Sequence, residues 1–314
     1  MMRAALIDTC GKPPSVGERA VPAAGPDDVR VRVTAATITP LDVLCATGTS
    51  YFGAPATPYV PGVQGVGERD DGSAVWFATA AGMRPGDGSL AEWAVVPPAD
   101  VVALPVGVDH GLIAALGLSA VAALMSLTWR GALQAGEQVL VLGGGGVVGQ
   151  AAIQLALLHG ASRAVGACRS EAAAERARRA GADSVVLLDG PDLAGRLAEA
   201  GPFDLVVDPV FGEPAAAALR ALRPGGRLVN LGSSAGETAP FDSASIRGRS
   251  LSVLGYTNNA LSVEQRAEAV RTIAEHARAG RLSIDFEAVR LADVADAWSR
   301  QAEGTADRRL VVMP

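Results

Sequence analysis

Lysine occurs once in this 314-residue chain, at Lys12, so nearly all of the 27 basic side chains are arginine. Any mechanism that needs a lysine ammonium in the middle of the chain is thereby removed. No Gly-Lys-Ser/Thr follows a glycine loop, which excludes an NTPase phosphate loop. Cysteine is nearly as scarce. Cys10, Cys45 and Cys168 are isolated and odd in number, giving neither a disulfide framework nor a CxxC metal knuckle, as expected for a reducing cytoplasm. Histidine is limited to His110, His159 and His276. The formal charge of −6 argues against nucleic acid or an anionic membrane as the main partner. No charged segment followed by an apolar one opens the chain, so no signal peptide is expected. Gly111 to Trp129 carries no charge and is long enough to span a bilayer. It is rich in Ala, Gly and Ser, however, and leads straight into a strand, which reads as a helix buried between domains.

What the chain has in abundance is alternation. From Glu137 onward, short aliphatic runs (QVLVLG, RAVGAC, SVVLLD, DLVVDPV, GRLVNLG, SLSVLGY) alternate with helical spacing over Val147–His159, Ser170–Ala180, Asp192–Ala200 and Glu213–Leu222. Gly181 and Gly201 stand where a left-handed C-terminal residue belongs, and Pro224-Gly225 is expected to stop the fourth helix. Ser170 is placed to cap the second. Six apolar strands joined by helices imply a doubly wound parallel sheet covered on both faces. The first 110 residues differ: short strands (AALID, DVRVRVTAATI, AVWFAT, LAEWAVV) are separated by turn signals that include Pro55, Pro58, Pro61, Gly62, Gly65 and Gly67. That is a β-rich domain without βαβ rhythm. Two amphipathic helices, Val263–Ala279 and Ala292–Glu303, and a last strand, RLVVM, follow.

Within VLVLGGGGVVGQAAIQLA, Gly144-x-Gly146-x-x-Gly149 follows a strand and opens a helix, the context a dinucleotide fingerprint requires. The first glycine allows the tight turn, the second a close approach of backbone to pyrophosphate, and the third close packing of helix on sheet. The next strand ends Ala167-Cys168-Arg169-Ser170-Glu171. Arg169 and Ser170 occupy the place where an NAD site puts a carboxylate. A guanidinium fork suits a 2′-phosphate, so NADP(H) is the expected cofactor.

Together these motifs make the chain resemble the medium-chain dehydrogenase/reductase superfamily, in its zinc-free quinone oxidoreductase branch. The resemblance runs the length of the chain through ITPLDVLCATG, PGVQGVGE, GLSAVAAL, the glycine loop, LRPGGRLVNLGSS and LADVADAW. It implies a GroES-like catalytic domain over 1–116, a Rossmann NADP-binding domain over 117–258, and a return to the first domain over 259–314. It also implies NADPH-dependent reduction of a quinone, enone or other conjugated acceptor. Zinc-dependent relatives carry His-Glu after the Pro-Gly that is Pro61-Gly62 here, whereas this chain has Val63-Gln64, so no metal is expected. The cofactor contacts implied are Thr39, Ser119, Gly144, Gly145, Gly146, Val147, Val148, Arg169, Ser170, Val210, Gly232, Ser233, Tyr256 and Thr257.

Thr39 replaces the asparagine of the family's NPxD motif, before Pro40 and Asp42, and Val43-Leu44 replace a tyrosine often found after it. Tyr51 in GTSYFG matches a second family tyrosine and is the expected catalytic proton donor, with Tyr59, Tyr256, Thr257 or solvent as alternatives. Asp42 reads as a helix cap or loop anchor, and Cys45 as a buried apolar thiol. No Tyr-x-x-x-Lys exists, which excludes the short-chain reductase mechanism. Two other functions fit the same sequence: a dedicated biosynthetic enoyl or imine reductase, and a non-catalytic NADP(H)-binding protein. The apolar run 250–256 would be a sheet edge, and a homodimer is expected across it.

Overall fold

Strands dominate the first part of the chain: β1 (Met2–Leu6), β2 (Ser15–Arg19), β3 (Val29–Thr37), β4 (Gln64–Glu68), β5 (Ala74–Ala78), β6 (Trp93–Val96) and β7 (Val101–Ala103). Helix α1 (Pro40–Ala46) interrupts them and α2 (His110–Met125) follows. Strict alternation comes next: β8 (Gln138–Leu142), α3 (Val147–Leu158), β9 (Arg163–Cys168), α4 (Glu171–Arg179), β10 (Ser184–Leu187), α5 (Leu193–Ala200), β11 (Phe203–Asp208), α6 (Gly212–Arg220), β12 (Leu222–Asn230), α7 (Ser243–Arg249) and β13 (Ser252–Gly255). The chain ends with α8 (Val263–Arg278), β14 (Phe286–Arg290), α9 (Val294–Glu303) and β15 (Arg309–Met313). This computed structural model describes residues 1–314. It divides into one unit of Met1–Gly117, Val263–Gly280 and Asp285–Pro314, and a second of Leu118–Ser262 with Arg281–Ile284.

In the first unit β14-β15-β3-β4-β5-β7 form a mixed sheet, with β6 also paired to β3, while β1 and β2 form a separate antiparallel ribbon. The closing segments are integral to its core: Val294 and Trp298 of α9 and Leu310 and Val312 of β15 pack in one cluster with Ile7, Phe77 and Leu90. Burying a side chain of that size stabilises by about 1.5–3 kcal/mol. The glycine-dense PGVQGVGE, read from sequence as turn, is largely strand β4. Its glycines answer close packing: a Cβ on Gly67 would stand 2.3 Å from the Arg32 carbonyl oxygen, and one on Gly65 2.6 Å from the Phe77 ring.

The second unit carries a six-stranded parallel sheet in the order β10-β9-β8-β11-β12-β13. Its inner strands are buried on both faces, as in β11, where every residue is buried, which explains why they read as continuous apolar runs. Two local expectations fail. Gly201 is extended (φ −88°, ψ −157°) and only Gly181 is left-handed (φ 95°). Pro224-Gly225 lie inside β12, because α6 already ends at Arg220 and the β11–β12 register shifts between Phe203 and Leu205. The uncharged stretch seen in the sequence falls within His110–Arg130, long and apolar enough to cross a membrane but 78% buried inside the protein. It breaks helical geometry at Gly117, where a side chain would collide with Gln64.

Candidate dinucleotide site and its surroundings

The loop between β8 and α3 lies beside the point where strand order reverses, at which open α/β sheets bind ligands. Its left-handed residue is Gly143 (φ 66°), one position before the glycine expected to make the turn. Gly144 donates its amide to the Ala167 carbonyl (3.1 Å) and Gly146 to the Gly143 carbonyl (2.9 Å). The Gly145 amide is directed at the buried Cys168 sulfur. All three glycine amides are therefore committed within the protein. The unfilled donors are the first three helical amides, Val147, Val148 and Gly149, since N-cap Gly146 offers no side-chain cap and the first helical bond is the one from Gln150 to the Gly146 carbonyl. Gly146 is exposed, and a Cβ added there would meet nothing nearer than 3.4 Å, whereas a Cβ on Gly149 would stand 2.2 Å from the Gly143 oxygen. Gly146 thus leaves room for an approaching ligand, and Gly149 lets α3 close on the strand.

At the end of β9, Ser170 caps α4, accepting from the Ala173 amide (3.3 Å). Arginines of this helix are engaged: Arg178 pairs with Glu171 (2.5 Å) and Arg176 donates from Nε to the Gly145 carbonyl (2.9 Å). Arg169 is exposed and makes no hydrogen bond or ion pair within the protein. With Glu171 neutralised by Arg178, the end of β9 presents cationic character.

The loops after β11 and β12 pack on one another. Buried Asp208 accepts the Val210 (3.0 Å) and Phe211 (2.8 Å) amides on Oδ1, and Asn230 donates to Oδ2 (3.2 Å). Burial raises its pKa against those bonds. The turn they fix holds Phe211 at φ 58°, ψ −156°, a region costly for any side chain, and nothing in the apolar text around it signals this. The Val210 carbonyl accepts the Ala235 amide (2.7 Å), so Gly232 and Ser233 sit in the adjoining loop, with Ser233 bonded to Glu237 (2.7 Å). After β13, Tyr256 donates its hydroxyl to Asn258 Oδ1 (2.6 Å) and Asn258 reaches the Leu118 carbonyl (3.3 Å), next to half-buried Ser119. Thr257 caps a short 3₁₀ turn by accepting from the Asn259 amide (3.3 Å). Asn258 ties the loop after β13 to the segment that carries Ser119.

In the first unit, Thr39 is the N-cap of α1 and Asp42 its reciprocal partner, a capping box read off as Thr-Pro-Leu-Asp. Asp42 Oδ1 also accepts the Val63 amide (2.8 Å). Asp42 and Arg309 are 2% and 6% exposed. Desolvation raises the Asp42 carboxyl and pulls the Arg309 guanidinium down to about 10, each partly opposed by the other's charge. Tyr51 is 79% exposed, its ring 4.1 Å from that of Phe52. Tyr59 is buried with an unbonded hydroxyl, and burial pushes the Cys45 thiol up to about 11. Neither is tuned for proton transfer or attack at neutral pH.

Gln64, in the place of a zinc-binding relative's glutamate, is buried and bonded to Thr37 (3.0 Å) and Trp76 (3.3 Å). No three His, Cys, Asp or Glu side chains come together as metal ligands. The donor set does not fit a zinc ion.

The family described as zinc-binding dehydrogenase matches residues 147–275. Trans-enoyl reductase pgmF of Aspergillus terreus is 31% identical over 208 residues, covering 59% of this chain and 56% of that one. The chain thus matches little more than half of that relative's length. Quinone oxidoreductase-like protein 2 of Bos taurus is 28% identical over 260 residues, 81% of this chain and 74% of that one. In architecture, a mycobacterial quinone oxidoreductase superposes with a TM-score of 0.88 at 21% identity, covering 100% of both chains.

Proposed function

We propose that this chain is a member of the medium-chain dehydrogenase/reductase superfamily and acts as a zinc-independent, NADPH-dependent reductase of a quinone, enone or other conjugated acceptor, a reading supported by the matching family model and by the likeness to a quinone oxidoreductase-like relative. The observation that carries this reading is the combination of unfilled first-turn amides, Val147 and Val148 among them, with an exposed, unpaired Arg169 at the end of the neighbouring strand. The amides and the helix dipole suit a pyrophosphate, and the guanidinium suits a 2′-phosphate. When bound, the reduced nicotinamide supplies hydride to an electron-poor carbon or quinone. Ser119, Tyr256 and Thr257 surround the reactive end of the cofactor in this reading, and Val210, Gly232 and Ser233 line its path.

The product oxygen needs a proton. Tyr51 is the proposed donor, and solvent competes with it because the phenol is exposed. Tyr51→Phe lowers kcat at least tenfold if the phenol delivers the proton, and leaves kcat unchanged if water does. The likeness to a trans-enoyl reductase supports a second reading, an enoyl reductase with one dedicated substrate. NADPH titration beside NADPH consumption on a panel of quinones, enones and enoyl thioesters tests all of these. Turnover on quinones and simple enones supports the first reading, turnover confined to enoyl thioesters the second, and binding without turnover a non-catalytic NADP(H)-binding protein. The proposal includes a homodimer formed through residues 250–256 and residence in the cytoplasm.

A further inference from the structure

Gly145 is held from both sides. Its carbonyl accepts Arg176 Nε from α4 (2.9 Å) and Gln150 Nε2 from α3 (3.0 Å), while its amide faces the Cys168 sulfur. The same residue lies so close to α4 that a Cβ would stand 2.3 Å from the Ala173 carbonyl oxygen. Ala173 and Arg176 share one face of α4 at helical i, i+3 spacing, so the glycine loop and the first turns of α4 are in direct contact. Arg176 is half-buried, and it grips the loop through Nε, one of the five donors a guanidinium carries.

The peptide whose orientation Arg176 fixes is the one entering Gly146 and the first turn of α3. A rotation there would turn a carbonyl dipole toward the place where anionic oxygens arrive. Arg178 is paired to Glu171 and Arg169 points to solvent, so the role falls to Arg176, the arginine of this helix that is bonded to the loop. We propose that Arg176 is a positioning residue for dinucleotide binding: from α4 it clamps the Gly145 carbonyl and so keeps the Val147 and Val148 amides presented to a pyrophosphate. This rests on the nicotinamide-dinucleotide reading of the site and adds to it a determinant common to NADH and NADPH, separate from the 2′-phosphate contact assigned to Arg169.

The test is a fluorescence titration of NADPH and of NADH against wild type, Arg176→Leu and Arg176→Lys, together with amide hydrogen exchange over residues 143–148 in the unliganded protein. The expected result is that Arg176→Leu weakens both dinucleotides by a similar factor, on the order of tenfold for one charge-assisted bond. Arg176→Lys, which keeps a cationic donor, recovers most of that loss. Exchange at residues 143–148 accelerates in Arg176→Leu while the rest of the parallel sheet keeps its protection. A loss confined to NADPH overturns the proposal by making Arg176 a direct phosphate ligand. Unchanged affinities overturn it too, and so does a loss that lysine fails to recover. If wild type binds neither dinucleotide, the functional reading falls; the clamp itself is then judged by the exchange data alone, and unchanged exchange refutes it.

Discussion

Asp42 Oδ2 accepts both the backbone amide (2.7 Å) and the hydroxyl (2.6 Å) of Thr39, while Thr39 Oγ1 accepts the Asp42 amide in return (3.2 Å). The residue standing in the asparagine position of the family motif therefore spends its side chain on starting α1, and the carboxylate it binds shares a buried environment with Arg309. Asp42→Asn removes a charge that opposes Arg309 and puts a donor where two donors converge. Leaving a buried hydrogen-bond donor unmatched costs about 1–3 kcal/mol, read as a lower urea midpoint at neutral pH. The pH dependence has a definite sign. Burial raises the folded pKa of Asp42 above its ordinary 3.8, so the folded state holds the proton longer than the unfolded chain. Its contribution to stability is greatest below that value and declines as pH rises through the folded pKa. Asp42→Asn removes this slope; an identical slope in the variant places its origin elsewhere.

Gly145 and Gly146 predict opposite outcomes for the same substitution. In Gly145→Ala the new methyl meets the Ala173 backbone, which overpacks the junction and costs about 1–3 kcal/mol, seen as a lower Tm. Gly146→Ala meets nothing closer than 3.4 Å and keeps wild-type stability, but its methyl occupies the approach to the α3 amides and weakens dinucleotide binding. Equal Tm losses in the two variants contradict this division.

Arg169→Ala separates the cofactors. Loss of one charge-assisted bond to a 2′-phosphate weakens NADPH on the order of ten- to a hundredfold and leaves NADH nearly unchanged. Equal weakening of both assigns Arg169 a structural role, and a wild type that prefers NADH overturns the NADP(H) proposal.

One edge of the parallel sheet is β13, where Val253 is 41% exposed. Tyr256 donates its amide inward to the Asn230 carbonyl (2.8 Å), so by strand alternation the peptide groups of Val253 and Gly255 face outward. Arg130 already takes the Gly255 carbonyl (2.9 Å), so in the proposed homodimer Val253 is the residue left to pair with a second copy. Light scattering is expected to give twice the 31.8 kDa chain mass, and Val253→Pro to halve it by removing an outward donor. A wild-type mass equal to one chain at micromolar concentration rejects the dimer.

The parallel sheet was legible because its order follows from alternation and its strands are apolar throughout; Leu140, Val206 and Leu228 are all fully buried. Helix starts were legible where a side chain makes the cap, as at Ser170 and Asp192. Less legible was any feature set by a neighbour distant in sequence. Strand β4 looked like a turn because its glycines answer Arg32 and Phe77, and Pro224-Gly225 looked like a stop because the strand pairing that absorbs them lies with β11. In the site, the fingerprint showed where a phosphate-binding loop belongs but not which amides it leaves open. That depends on Ala167, Gly143 and Cys168 taking the glycine amides first. Arg176 was invisible as a loop contact, since only the pairing of β8 with β9 brings α4 beside Gly145.

The placement of β15 beside β3 and β14 has a consequence for the order in which the chain acquires its shape during synthesis. The parallel sheet is complete in sequence once Gly255 has left the ribosome, and its strands are consecutive. The mixed sheet, although its first strand is made earlier, waits for Arg309–Met313 before β3 gains its last partner and before Leu310 and Val312 cover Ile7 and Phe77. A unit whose closing strand is translated last exposes its apolar face longest. Truncation before Arg309 therefore leaves the early-made unit, rather than the later-made one, as the part that aggregates.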